Sequence, residues 1–206
     1  MLFRSSVSIP FELEFPKSAV AKDLNGDDMP DVVAASVDDD TLVWFENQIG
    51  VASEDFSASK TITTSFEQTN IVRLADIDLD TDQDIIAGSE LDREFRIYEN
   101  KLDEPSANFE LIENLFNKKQ VNSLTANLSE KINFPITNEI IDMFVVNMDR
   151  DKDLDVVVHY IVHQPPFDDR YIIRYVENNY LQDGTFVYMD WINRGTHSGG
   201  TLHYSM

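Results

Sequence analysis

Three acidic stretches place oxygen-bearing side chains at one shared set of intervals: Asp23-Leu-Asn25-Gly-Asp27-Asp-Met-Pro-Asp31, Asp76-Ile-Asp78-Leu-Asp80-Thr-Asp-Gln-Asp84 and Asn147-Met-Asp149-Arg-Asp151-Lys-Asp-Leu-Asp155. In each, loop positions 1, 3, 5 and 9 carry Asp or Asn. Alternate side chains of a tight loop then converge with one more from the start of the next element, which is how a hard cation such as calcium collects oxygens. Ten of these twelve side chains are carboxylates. Crowded together without a counter-ion they would repel, raise one another's pKa and loosen the fold. An ion bound there would favour the folded chain, because the unfolded chain cannot assemble the ligands. One acidic loop could be an accident of an acidic composition, but a spacing repeated three times is much harder to obtain by chance.

The EF-hand also begins with acidic positions 1, 3 and 5, but it needs a bidentate glutamate at position 12 and flanking helices. Position 12 here is Ala34, Ala87 or Val158, and β-branched runs flank every loop. Each loop leads into an apolar run (Asp31-VVAAS, Asp84-IIAGS, Asp155-VVVHYIV). A second run follows and ends in a shared tail: LVWFENQ at 42–48, FRIYENK at 95–101 and IIRYVENN at 172–179. Another run precedes each loop (SAVAKD, NIVRLAD, IIDMFVVN), and a fourth fits each remaining gap: KTITTS near Lys60, FELIEN near Phe109 and TFVYMDWI after Gln182-Asp-Gly184. Rich in Val, Ile, Phe, Tyr and Trp, these read as short strands, and helical periodicity is unconvincing anywhere. The expected fold is all-β, with four antiparallel strands per unit. That is the arithmetic of a β-propeller blade, and about three blades make a partial propeller.

Asp23 and Asp76 stand 53 residues apart, and Asp76 and Asn147 stand 71 apart. The excess lies in the polar stretch NLFNKKQVNSLTANLSEK. The chain reads as one segment spanning 1–206, with blade 1 at 17–65, blade 2 at 69–115, an insertion at 116–136, blade 3 at 139–193 and the first strand of a further blade at 199–206. Residues before Lys17, such as PFELEF, read as the last strand of a preceding blade. Open strand edges at both ends call for a partner. Either the sequence is a segment of a longer chain, or copies associate head to tail into a ring or a filament.

The loops and tails together resemble the FG-GAP/VCBS repeat family of calcium-binding β-propellers, with integrin-α-like blades. Its pattern is similar to D-x-(D/N)-G-D-G-x-x-D, followed by an apolar strand and an aromatic strand ending (Y/F)-x-N. The resemblance implies up to three Ca²⁺ ions, each in the first hairpin of a blade. It implies side-chain ligands Asp23, Asn25, Asp27 and Asp31, then Asp76, Asp78, Asp80 and Asp84, then Asn147, Asp149, Asp151 and Asp155. It adds position-7 carbonyls from Met29, Asp82 and Asp153. The chain departs from the pattern at the glycines. Loop one keeps Gly26 but has Asp28; loops two and three have Leu79 and Thr81, then Arg150 and Lys152. A missing glycine costs stability only where the backbone needs positive φ.

Sixteen basic against 38 acidic residues give a formal charge of −22, which argues against nucleic acid or an anionic membrane as partner. With no cysteine there is neither a disulfide framework nor a thiolate zinc site. No stretch approaches the roughly 18 apolar residues of a membrane span, and the first sixteen residues do not form a signal-peptide core. Trp44, Phe45, Tyr98 and Tyr175 are expected to pack between blades. The pairs Glu46-Asn47, Glu99-Asn100 and Glu177-Asn178 are expected to cap strand ends, because a catalytic pair is needed only once. His159, His163, His197 and His203 match no metalloprotease spacing, and no nucleophile elbow occurs. Asn127-Leu-Ser129 is a glycosylation sequon, meaningful only in a secreted eukaryotic chain.

The expectation is therefore a non-enzymatic calcium-binding module, extracellular or at the cell surface. It would contact a protein partner or further copies of itself in adhesion or assembly. Two alternatives stand beside it. One is a lectin-like or polysaccharide-degrading propeller using a glycan, with His159, His163, Asp168 and Asp169 as the candidate cluster. The other is a filament-forming structural subunit.

Overall fold

The computed structural model describes residues 9, 13–92, 94–103, 108–115, 138–162, 170–179 and 185–191. Among the described residues the fold consists of twelve strands, with no helix. They are β1 (Pro16–Lys22), β2 (Asp31–Ser36), β3 (Thr41–Phe45), β4 (Lys60–Thr63), β5 (Thr69–Ala75), β6 (Asp84–Ser89), β7 (Glu94–Lys101), β8 (Asn108–Leu115), β9 (Asn138–Val146), β10 (Asp155–Val162), β11 (Arg170–Asn179) and β12 (Thr185–Trp191). Each run of four forms its own antiparallel meander: β1-β2-β3-β4, β5-β6-β7-β8 and β9-β10-β11-β12, none closed into a barrel. The expected all-β fold and its three four-stranded units are thus present. The insertion at 116–136, the C-terminal strand at 199–206 and the glycosylation sequon lie outside the described residues.

Successive strand side chains point to opposite faces, and in the middle sheet both faces are covered. From sheet one, Val33, Ala35, Leu42 and Trp44 meet Val72, Ile85, Ala87, Tyr98 and Phe109 of sheet two. The other parity of sheet two, Ile71, Ile86, Phe95 and Ile97, meets Met143, Val156, Val158, Tyr160 and Val176 of sheet three. This is why β6 is a continuous buried run and not an alternating one. Each fully buried aliphatic side chain contributes about 1.5–3 kcal/mol. The aromatics singled out in the sequence are interior: Trp44, Phe45, Tyr98 and Tyr175 are all buried, and Trp44 meets Phe109 edge-on with ring centroids 6.3 Å apart. Gly88 leaves the space into which the Phe95 ring packs, since a Cβ there would lie 2.6 Å from that ring.

Polar contacts add to the joints between sheets. Val72 N–H donates to Ser18 Oγ at 3.2 Å. Arg73 of β5 donates to the Met143 carbonyl at 2.9 Å and pairs with Asp142 of β9. A further repeated device is not visible in the loop motif. Ser36 lies against the Glu14 carbonyl and 2.7 Å from Asp39 Oδ2, which accepts from Glu14 N–H at 2.6 Å. Fifty-three residues on, Ser89, Glu67 and Asp92 repeat the arrangement, with Glu67 N–H donating to Asp92 at 2.9 Å. In sheet three the equivalent residue is Tyr160, which cannot make a serine clasp of this kind.

β3 ends at Phe45, short of the tail expected through Gln48. The backbone beyond it is diverted: Asn47 N–H goes to Asp31 Oδ1 at 2.8 Å, Ser57 N–H to the Glu46 carbonyl at 2.9 Å and Gln48 N–H to the Asp55 carbonyl at 2.8 Å.

Candidate metal centres

The three acidic loops occupy equivalent places, each joining the first two strands of its sheet. Flanked by strands, they are not EF-hands. Their internal hydrogen bonds repeat residue by residue. Position 5 N–H donates to the position 3 side chain: Asp27 to Asn25 at 3.1 Å, Asp80 to Asp78 at 3.2 Å and Asp151 to Asp149 at 3.1 Å. Position 7 N–H donates to the position 5 carboxylate: Met29 to Asp27 at 2.8 Å, Asp82 to Asp80 at 3.1 Å and Asp153 to Asp151 at 3.1 Å. The first side chain gathers later amides: Asp23 those of Gly26 and Asp28, Asp76 that of Thr81, and Asn147 that of Arg150. Short polar side chains that bond backbone two or more residues on are what coil a chain into such a turn. Here that coiling aims alternate oxygens inward.

Position 9 closes the loop. Asp31, Asp84 and Asp155 are wholly buried. Their Oδ2 atoms accept from Leu24, Ile77 and Met148 N–H at 3.1, 2.8 and 2.7 Å. Their Oδ1 atoms accept from the N–H of Asn47, Asn100 and Asn178 at 2.8, 2.9 and 2.9 Å. The tail asparagines therefore do hold the strand ends, by bonding the loop.

The donor set suits a hard cation most clearly in loop two. Carboxylate oxygens of Asp76, Asp78 and Asp84 lie within 4.8 Å of one another, as do those of Asp78, Asp80 and Glu99. Among the described residues no other loop gathers three carboxylates this closely, and loop two is the one with aspartate at every odd position. The sequence marks Glu99 only as part of a strand-end pair; its place on β7, beside the loop, brings it in. Among the described residues three carboxylate oxygens, Asp76 Oδ1, Asp82 Oδ1 and Asp153 Oδ1, are buried with no hydrogen-bond partner, a condition that burial makes costly unless something positive meets them. The position-7 side chains Asp82 and Asp153 are thus themselves turned into the structure, whereas loop one has Met29 there.

The electrostatics match. Burial, and then the charges of Asp78 and Asp80, push Asp84 up to about 7 against two backbone hydrogen bonds that favour its ionised form. Burial and then Asp80 carry Asp82 to about 7 as well. Burial, followed by Asp151, carries Asp153 to about 6. Asp31, Asp78 and Asp155 are raised too, in each case chiefly by burial. Burial, then the charges of Asp155, Asp149 and Glu177, raises the Tyr175 phenol.

The glycine positions prove to be conformational. The fourth residue has positive φ in all three loops: 77° at Gly26, 63° at Leu79 and 70° at Arg150. The sixth does so at Asp28 (66°) and Thr81 (88°), but not at Lys152. For a β-branched residue such as Thr81 this is a strained backbone.

Of the histidines, His159 alone falls among the described residues. It is half-buried on β10, its ring 6.2 Å from that of Tyr171. His163, Asp168, Asp169, His197 and His203 lie outside them. Comparisons of the chain with protein-family models, with curated proteins and with solved structures find no match.

Two outcomes follow from the loops. Burial lifts Asp82 and Asp84 to about 7 in the folded chain from the 3.8 of an unperturbed aspartate, so the folded chain holds more protons between those values. Stability is then greatest at the acid end and is lost as pH rises through about 7. Melting in chelator should accordingly move to lower temperature between pH 5 and pH 8, and a rise over that interval would contradict the burial of these carboxylates. Thr81→Gly should raise the urea midpoint, by up to about 1 kcal/mol of stability. Lys152→Gly, at ordinary φ, should lower it.

Proposed function

We propose that this chain is a calcium-binding segment of a β-propeller of the FG-GAP/VCBS kind, its three sheets being successive blades. On this reading calcium is structural: it matches the charge of each first-hairpin loop and holds the hairpin shut. The observation that carries the proposal is the same hydrogen-bonded turn in three equivalent loops, with converging carboxylates in loop two and, in loops two and three, buried carboxylate oxygens that no group among the described residues satisfies. Asp76, Asp78, Asp80, Asp82 and Asp84 would hold the ion in loop two. Loops one and three would use Asp23, Asn25, Asp27 and Asp31, and Asn147, Asp149, Asp151, Asp153 and Asp155. An all-oxygen, carboxylate-rich set favours calcium over softer metals. Loops of this type would fill at the roughly millimolar calcium outside cells, which supports an extracellular or surface location.

The role we infer is non-enzymatic contact, in adhesion or assembly, with another protein or a further copy of the chain. Sheet three supports it. Ile173 and Tyr171 are 41% and 50% exposed, whereas Leu42, the counterpart of Ile173 in sheet one, is 0% exposed. Phe144 and Val146 are exposed in the same sheet. An apolar sheet face of this kind is an interaction surface more often than bare surface. The glycan-stacking alternative gains nothing from Trp44, Phe45, Tyr98 or Tyr175, because all four are buried.

Thermal unfolding with calcium and with EDTA tests the metal. Calcium should raise the melting temperature by several degrees, Asp27→Ala and Asp80→Ala should each remove part of the gain, and no shift at all would sink the reading. Sedimentation equilibrium tests the surface: the chain should self-associate, and Ile173→Asp should dissociate it. A monomer at every concentration would rule out contact between copies at this face.

A further inference from the structure

The three loops are linked in series by two asparagine side chains. Asn178 gives its backbone N–H to Asp155 of loop three, and its Nδ2 donates to the Leu154 carbonyl at 3.2 Å. The same Nδ2 reaches into the neighbouring sheet and donates to the Ile77 carbonyl of loop two at 2.9 Å. Asn100 does the same one sheet earlier. Its N–H is on Asp84, and its Nδ2 is 3.2 Å from the Gln83 carbonyl and 2.8 Å from the Leu24 carbonyl of loop one.

The receiving residue matters. Ile77 stands between Asp76 and Asp78, the first two ligand positions of loop two. Its N–H is held by Asp84 and its carbonyl by Asn178, so the peptide groups on both sides of it are pinned. Leu24, between Asp23 and Asn25, is pinned the same way by Asp31 and Asn100. Both residues are buried, at 0% and 3% exposure, but Met148, their counterpart in loop three, is 44% exposed. Among the described residues no asparagine reaches the Met148 carbonyl. The Nδ2 of Asn47, the counterpart in sheet one, stays with its own loop, at the Pro30 carbonyl, 3.0 Å away.

We propose that Asn178 and Asn100 are positioning residues that couple neighbouring metal loops. Ordering Asp155 sets Asn178, which sets the first two ligands of loop two; ordering Asp84 sets Asn100, which does so for loop one. Ions then bind with positive coupling along the chain, and by linkage an ion in one loop strengthens the attachment of the next sheet. The proposal rests on the calcium reading above.

Only the side chain of each asparagine reaches the neighbouring loop, while its backbone N–H holds its own, and this allows a test. Asn178→Ala removes the amide from Ile77 and the longer bond to Leu154 but keeps the N–H on Asp155, the closing ligand of loop three. In a chain carrying Asp27→Ala and Asp151→Ala, which leaves loop two intact, calcium titration calorimetry should show Asn178→Ala weakening the site about tenfold, as groups that orient ligands commonly do. In the reciprocal chain, with Asp27→Ala and Asp80→Ala, loop three should lose much less. An unchanged affinity of loop two, or an equal loss in both loops, overturns the proposal, the latter because it marks a general structural role. If Asn178→Ala does not fold by circular dichroism, Asn100→Ala in a chain with Asp80→Ala and Asp151→Ala puts the same question to loop one: a tenfold loss there supports the coupling, and an unchanged affinity overturns it. Absence of calcium heat with the unsubstituted chain overturns the calcium reading and the coupling with it.

Discussion

The structure depends on one buried carboxylate per sheet. Asp31, Asp84 and Asp155 sit at the start of the second strand with no solvent exposure, and each accepts two backbone amides from opposite directions. One amide comes from the second residue of the acidic loop and the other from an asparagine at the end of the third strand or just beyond it. A single side chain therefore ties together the first hairpin and the third strand of its sheet. Removing it would leave buried N–H groups without acceptors, each costing about 1–3 kcal/mol. Its own burial raises its pKa, so the same group that organises the loop also makes the ionised loop uncomfortable until a positive charge arrives.

That tension explains two features that are otherwise unfavourable. Loops two and three hold non-glycine residues at positive φ, and loop two packs five aspartates and the nearby Glu99 into a small volume. Backbone strain and charge crowding of this order persist where the surroundings over-determine the conformation, and they concentrate at binding sites. The surroundings here are the nested side-chain hydrogen bonds and the apolar layers on both faces of the middle sheet. A cation is the natural complement to the charge, and the strain is the backbone geometry needed to aim the oxygens.

Much of the architecture was legible in the sequence. The apolar runs before and after each acidic loop marked its strands, and the absence of a glutamate at position 12, with β-branched runs on both sides, was enough to reject the EF-hand. The period-2 pattern was obscured in β6, where every residue is buried, yet β-branched composition and length still marked a strand. Less legible were features that depend on neighbours distant in the chain. Glu99 joins Asp78 and Asp80 only because β7 pairs alongside β6. The Ser36 and Ser89 clasps close over 22 residues, a distance at which no local rule applies. The glycine departures were visible, but the positive φ at Leu79 and Thr81 was not, since the backbone conformation is set by the loop's hydrogen bonds.

What the sequence determined by itself was local: which residues form strands, where each hairpin turns, and which oxygens alternate toward a common centre. These follow from side-chain period and from short-range bonding of Asp and Asn to nearby backbone. Tertiary structure alone decided which face of each strand meets which neighbour, and that the amide groups of Asn100 and Asn178 end on carbonyls of the preceding sheet, 76 and 101 residues away. The reason is physical: an asparagine at a strand end has several acceptors within reach in principle, and only the packing of one apolar sheet face against another fixes which of them it meets.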